Sequence, residues 1–246
     1  MTAGRYDGET ADGLARRCGV PRVVLLEAVP STMDIAHAEG EAGAPPGTLV
    51  LTDRQTEGRG RGGKSWQSAA GGSLTMTLIE RPIDDAAIAV LSLRLGLAVA
   101  PALEQWTDGP VRLKWPNDVF VGDGKLGGIL VEARWRNQRP EWVAIGLGIN
   151  VVRPTLAGSA GLAPGVSRLE ILPALVTAVR EAVARTGGLA PDEVAAFARR
   201  DRARGRRIVE PARGIAHGVS AGGALLVETV DGLVSCATGS LVFMEE

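Results

Sequence analysis

Apolar residues fall in blocks whose period changes along the chain. RVVLLE (22–27), TLVLTD (48–53) and SLTMTLIE (73–80) are short apolar runs between turn signals, the pattern of buried strands. Between the first two, Ser31 stands as a helix N-cap with the acidic Asp34 three residues on, as in a capping box. A short helix is predicted from there to about residue 39. Residues 85–106 repeat apolar positions at three and four, which predicts a long helix. Its most apolar part, 86–102, contains Arg94 and reads as a core helix and not a membrane span. VRLKWPND and VFVGD read as strand, turn, strand. KLGGILVEARW is a further strand after a Gly-Asp-Gly turn, and EWVAIGLGINVV (141–152) is another. Helices are predicted over 167–185 and 191–203.

The texture changes near RARGRR. IVEPARG, GIAHGVS, ALLVETVDG, LVSCATG and LVFMEE are short strands with Gly or Asp-Gly turns, the signal for a small β-barrel. The division is therefore 1–203 and 204–246. RRDRARGRR at the boundary has no interleaved aromatic residue and reads as a helix C-terminus running into an exposed linker, not a nucleic-acid patch.

Composition narrows the class. The 246 residues are 45% hydrophobic and 22% charged, as in ordinary globular proteins, and suffice for a large core without metals or disulfides. A formal net charge of −1 creates no field that favours nucleic acid or an anionic membrane. Cys18 and Cys236 stand far apart without a partner motif, so neither a disulfide framework nor a zinc site is expected. The polar start MTAGRYDGET shows no signal peptide, which makes the cytoplasm the expected location.

The candidate chemistry begins at GRGRGGKS, residues 58–65. It fits the phosphate-loop pattern letter for letter. A phosphate loop must open into a helix whose first amides complete the anion cradle. Here WQSAAGGS follows and leads to a strand, so that reading fails. What remains is a glycine loop carrying Arg59, Arg61 and Lys64. Glycine lets backbone amides approach a ligand, and arginine supplies fixed forks for carboxylate or phosphate oxygens. Glycines and like charges also disfavour a single unliganded conformation of this loop. A second cluster is KWPNDVFVGDGKLGGILVE, 114–132. Lys125 sits after a turn, and Gly127 and Gly128 leave the next strand without bulk, so a flat ligand could lie against its backbone.

With these pieces in order (STMD at 31, TDRQTEGRGRGGKSW at 52–66, KWPND at 114, GKLGGILVE at 124, GLGIN at 146) the chain resembles the biotin–protein ligases over nearly its whole length after residue 22. The resemblance implies an α+β fold. Its catalytic domain would be class II synthetase-like, a mixed sheet flanked by helices, followed by an SH3-like C-terminal barrel. It implies ATP and Mg²⁺ as cofactors, biotin as substrate, and a biotin carboxyl carrier domain as partner. Neither a nucleic acid nor a membrane is implied, and no protein-bound metal site. Two steps follow: biotin attacks the α-phosphate of ATP to give biotinyl-5′-AMP, and a carrier lysine then takes the biotinyl group.

By the same resemblance, Ser31, Thr32 and Gln55 would bond the ureido ring of biotin, with Met33 beside them. Arg59, Gly60 and Arg61 would lie on the loop that closes over biotin and phosphate. Lys125 would stand between carboxylate and phosphate, with Lys64 among the adenylate contacts. Trp66 would cover adenine, Asn117 and Asp118 would serve the ribose, metal or phosphate region, Gly128 would pass close to biotin, and Asn150 would lie near adenosine. Lys125, Arg61 and Asp118 are the expected catalytic set, Asp118 assisting deprotonation of the incoming lysine. The chain departs from the family at Met33, where Asn is usual, and at Gly62 and Lys64, where the loop usually carries arginines. A lipoate or octanoate ligase or transferase of the same fold is the alternative. DGLARRCGVPR (12–22) resembles one helix and turn of the winged helix that some members carry. With fewer than thirty residues before the end of the first strand, no DNA-binding module or repressor role is expected.

Overall fold

The protein is described by a computed structural model over residues 4–67, 70–81 and 84–244. A seven-stranded sheet forms its centre, with the order β1-β2-β3-β7-β6-β5-β4. These are β1 (Arg22–Val29), β2 (Thr48–Gln55), β3 (Ser73–Glu80), β4 (Val111–Lys114), β5 (Asp118–Val121), β6 (Gly124–Arg136) and β7 (Arg139–Asn150). β1 and β2 are parallel and every other pair is antiparallel, so the sheet is mixed as expected.

Alternation along the strands decides which face is covered by what. Leu49, Leu51, Leu74, Met76, Leu78, Ile145, Leu147 and Ile149 point to one face. There they pack with α3 (Asp85–Glu104) and α4 (Arg168–Val183) in the main core. α3 is long and apolar enough to cross a membrane by length and composition, yet its stripe Leu91, Leu95, Val99 and Leu103 is buried in this core. Its Arg94 is 2% exposed and is satisfied by Glu193 of α5 (Pro191–Arg200) and by carbonyls at 187 and 188. The opposite face carries Val50, Ile79, Trp142 and Ala144 under α2 (Thr32–Glu41). α2 is short, and the face beyond its start is left for other contacts.

α1 (Ala11–Cys18) is a capped helix, with Thr10 Oγ1 accepting from the amide of Gly13. Ahead of it, Asp7 and Tyr6 hold Arg168: the carboxylate bonds the guanidinium, and the ring lies 4.1 Å from it. Arg168 also donates to Asp53 at the end of β2, at 2.6 Å, which ties α4 to the strand that delivers the glycine loop.

β8 (Arg207–Glu210), β9 (Gly214–Val219), β10 (Leu225–Thr229), β11 (Gly232–Cys236) and β12 (Val242–Phe243) form a second, antiparallel sheet of SH3-like kind, in the order β11-β10-β9-β8-β12. The arginine-rich joint is exposed as expected at Arg199 and over 204–207, but its middle is anchored. Asp201 and Ala203 are buried, Arg202 donates to the Gly122 carbonyl and to Asp123, and Arg200 bonds Glu104 and the Val111 carbonyl. Arg206 lies 3.8 Å from the Phe243 ring. These side chains staple the end of α5 to β4, β5 and the small sheet.

Candidate active site

The face shared with α2 carries the site, and strand register explains its shape. Asp118 pairs with Gly128, Gly128 with Gly148, and Gly148 with Thr75, in one row across four strands. The next row on the same face is Leu130, Gly146 and Thr77. Three of these seven positions are glycine, so backbone forms the floor. Each vacancy is specific. A Cβ on Gly148 would lie 2.4 Å from the Trp66 ring, one on Gly146 3.0 Å from Met33 Sδ, and one on Gly128 3.7 Å from Lys125 Nζ. A cleft of about 620 Å³, counting its mouth open to solvent, stands over this floor.

At the Thr77–Gly146 row the wall is neutral. Thr32 donates its amide (2.8 Å) and its hydroxyl (3.0 Å) to Gln55 Oε1, and Thr77 donates to Thr32 Oγ1 at 2.8 Å. Ser31 is the N-cap of α2, accepting from the Met33 amide at 3.3 Å; it is buried and does not line the cleft. Asp34 does not complete a capping box and instead pairs with Arg59 at 2.8 Å.

At the Thr75–Gly148 row, about 7 Å further along the strands, the wall is cationic. Lys125 Nζ lies 2.6 Å from Asp118 Oδ1 and 5.9 Å from the centre of the Trp66 ring. Lys64 lines the same cleft. Lys114, paired with Asp118 across β4 and β5, feels this field. Burial lowers its pKa, Asp118 opposes that, and Lys125, Lys64 and Arg202 lower it further. Among the described residues the Trp66 indole N–H and the Thr75 hydroxyl are buried without a hydrogen-bond partner, and both line the cleft. A buried donor without a partner suits a ligand that brings an acceptor.

The glycine loop is folded as a small hairpin. Trp66 N–H donates to the Gly58 carbonyl, Gly60 N–H donates to the Lys64 carbonyl, and a 3₁₀ turn at Arg61–Gly63 closes it. Gly62 and Gly63 both have positive φ, 67° and 75°, which is why glycine occupies them. The hairpin carries Arg59, Gly60 and Lys64 along the cleft. Arg61 is turned away from it: its Nη1 donates to the Gly239 carbonyl, in the connection between β11 and β12, at 3.2 Å, and its fork lies 5.9 Å from the Trp115 ring.

Of the residues singled out in the sequence, Thr32, Met33, Gln55, Arg59, Gly60, Lys64, Trp66, Asn117, Lys125 and Gly128 meet at one cleft. Asp118 reaches it through Lys125. Asn117 donates to the Ile129 carbonyl at 2.8 Å. Asn150 lies outside: its amide donates to the carbonyls of Lys125 (3.2 Å) and Ala160 (3.1 Å), binding the strand that bears Lys125 to the 158–160 turn. Sequence reasoning missed Thr75, Thr77, Gly146 and Gly148. The signals were there: SLTMTLIE alternates threonine with apolar residues, and GLG places two glycines on one face of a strand.

Comparison with known proteins places this arrangement. The model of the biotin/lipoate A/B protein ligase family matches residues 25–150. Over 146 residues the chain is 36% identical to the bifunctional ligase/repressor BirA of Bacillus spizizenii, covering 59% of this chain and 45% of that protein. Over 123 residues it is 40% identical to the biotin–[acetyl-CoA-carboxylase] ligase of Paracoccus denitrificans, covering 48% of this chain and 51% of that one. The chain thus spans about half the length of the curated relatives it matches. The solved structure of the biotin protein ligase from Aquifex aeolicus in complex with biotin and ATP aligns with a TM-score of 0.73 at 26% identity, over 91% of this chain and 99% of that one.

Proposed function

The chain belongs to the biotin/lipoate A/B protein ligase family, and from that premise we propose that it is an ATP-dependent biotin–protein ligase. The observation that carries the reading is a single cleft over a glycine floor, with neutral hydrogen-bonding groups at one row and the Lys125–Asp118 pair at the next. Biotin has the matching polarity: an uncharged ureido ring and a carboxylate on a flexible chain. Thr32 and Gln55 suit the ring. Lys125 and Lys64 suit the carboxylate and the α-phosphate.

Two anions must meet in the first step, so cations that neutralise both lower its barrier. A carboxylate oxygen of biotin bonds to the α-phosphorus of ATP, the bond to the bridging oxygen breaks, and pyrophosphate leaves with that electron pair. Lys125 leaves Asp118 for the reacting oxygens. That exchange frees Asp118 to accept a proton from the incoming carrier lysine, whose amine attacks the biotinyl carbonyl and expels AMP. Arg61 joins the site only by giving up its Gly239 contact.

Among the described residues no group of three or more His, Cys, Asp or Glu gathers as a metal site. A magnesium ion carried mainly by phosphate oxygens needs only one or two carboxylates, and Asp118 fits that role. Bound there, the ion would neutralise phosphate charge. The same reading divides the chain into a catalytic part, 1–203, and an SH3-like part, 204–246. It makes a biotin carboxyl carrier domain the partner, and it includes a cytoplasmic location.

The test is ATP–pyrophosphate exchange with Mg²⁺ and biotin, lipoate or octanoate in parallel, with Lys125→Ala as control. Exchange with biotin alone, lost in the variant, is the expected result. Exchange with lipoate or octanoate instead would move the protein to the sister activity. Silence with every acid would overturn the reading.

A further inference from the structure

Arg59 is the loop arginine that lines the cleft, and residues outside the cleft hold it from behind. Its Nη2 lies 2.8 Å from Asp34 Oδ1 on α2 and 3.6 Å from Glu132 Oε2 on β6. Glu132 Oε2 is also 2.9 Å from His37 Nε2. The other ring nitrogen, Nδ1, receives the Trp142 indole N–H at 3.3 Å. An indole nitrogen only donates, so Nδ1 accepts and the proton of the neutral ring sits on Nε2, aimed at Glu132. Trp142 is 2% exposed and wedged against Gly40, where an added Cβ would lie 2.6 Å from its ring. A directional chain therefore runs from the buried Trp142 through His37 and Glu132 to Arg59.

Two carboxylates share the one guanidinium, so the Arg59 charge is already compensated. That makes Arg59 a poor counter-ion for an incoming acid and a good anchor. It sits between Gly58 and Gly60, where the backbone offers little stiffness, at the root of the hairpin closed by the Gly60–Lys64 and Gly58–Trp66 bonds. We propose that Glu132, oriented by His37 and Trp142, is a positioning residue that pins the glycine loop over the acid-substrate cleft through Arg59. The inference rests on the ligase reading above and assigns this loop anchor to residues that do not touch substrate.

The experiment compares Glu132→Ala, Glu132→Gln, Arg59→Ala and the Glu132→Ala/Arg59→Ala double variant with the unaltered protein. Exchange kinetics give KM for biotin and kcat. Quenching of tryptophan fluorescence by biotin gives Kd without turnover. Glu132→Ala should raise KM and Kd by about fivefold, the scale of one partly exposed ionic contact, and leave kcat within about twofold. The double variant should be no weaker than Arg59→Ala. Glu132→Gln, which keeps an acceptor for His37 and Arg59, should fall between. Unchanged KM and Kd in a folded Glu132→Ala protein, or additive losses in the double variant, would overturn the proposal. Failure of the unaltered protein to exchange or to bind biotin would instead strike the ligase reading beneath it.

Discussion

Lys125 Nζ and Asp118 Oδ1 stand 2.6 Å apart, across the bulge where β5 meets β6. On the proposed reading, the pair presents a cation to the substrate anions and keeps the Asp118 carboxylate occupied until the lysine leaves it. Lys125→Ala should lower ATP–pyrophosphate exchange by about two to three orders of magnitude, the loss seen when one donor to a developing charge is removed. Asp118→Asn frees the lysine but removes the base and one carboxylate open to magnesium, whose remaining ligands are mainly phosphate oxygens. Exchange should stay within about tenfold, while transfer from preformed adenylate to a carrier lysine drops further. Single-turnover transfer measured beside exchange separates the two, and equal losses in both steps would refute separate roles.

The glycine floor makes a sharper prediction because its positions differ in clearance. Alanine at 148 would place a methyl 2.4 Å from the Trp66 ring, and the ring must move. Alanine at 128 meets Lys125 Nζ at 3.7 Å, an ordinary contact. Gly148→Ala should therefore raise KM for biotin by about tenfold or more and shift the tryptophan emission, whereas Gly128→Ala should change KM by only a few-fold. Similar behaviour of the two variants would mean that the floor is not the ligand face.

Much of this was legible in the sequence where a local rule governs the outcome. β3 spans the predicted 73–80, and the helices and remaining strands fall within a few residues of their expected ends. The motif residues meet because glycine loops and strand ends are set by short-range chemistry. What the sequence hid are choices among distant partners. Nothing local says that Arg61 turns to the Gly239 carbonyl, 178 positions on, that Asp34 prefers Arg59 to a helix cap, or that Asn150 spends its amide on two carbonyls. The joint at 199–207 reads as an exposed linker because its cations suit a helix C-terminus and no aromatic residue interleaves. Its Arg200 and Arg202 find carbonyls and carboxylates only once α3, β4 and the β5–β6 turn have come together at the end of α5.

That joint contains a buried acid with a pH signature. Asp201 is 6% exposed, and one of its oxygens has no partner among the described residues. Burial pushes its pKa from 3.8 up to about 6, against the Ala203 amide and Arg204. The neutral form is thus favoured in the fold. Stability from this group is greatest below pH ~4, falls as pH rises through ~4 to ~6, and stays reduced above that. The gap corresponds to roughly 3 kcal/mol at neutral pH. Asp201→Asn removes the charge but leaves a buried amide that costs about 1–2 kcal/mol. The variant should be about 1 kcal/mol more stable at pH 7.5 and lose that advantage near pH 5. Urea midpoints at the two pH values test this, and an advantage that grows toward acid would contradict the sign.

Gly62 is a loop position where the resemblance to the biotin–protein ligases implies an arginine, and here it has φ 67° with no atom within 4 Å of an added Cβ. An arginine there pays about 1 kcal/mol for the left-handed conformation. Space does not oppose it. Because the strain is present with and without ligand, it largely cancels in binding, while the added cation acts only on the bound anion. Gly62→Arg should therefore lose a little thermal stability and hold the adenylate longer, by about fivefold. The release rate of labelled biotinyl-5′-AMP from purified protein measures this directly. An unchanged or shorter lifetime would show that the loop closes without help from its charge, through the hairpin bonds and the Arg59 anchor alone.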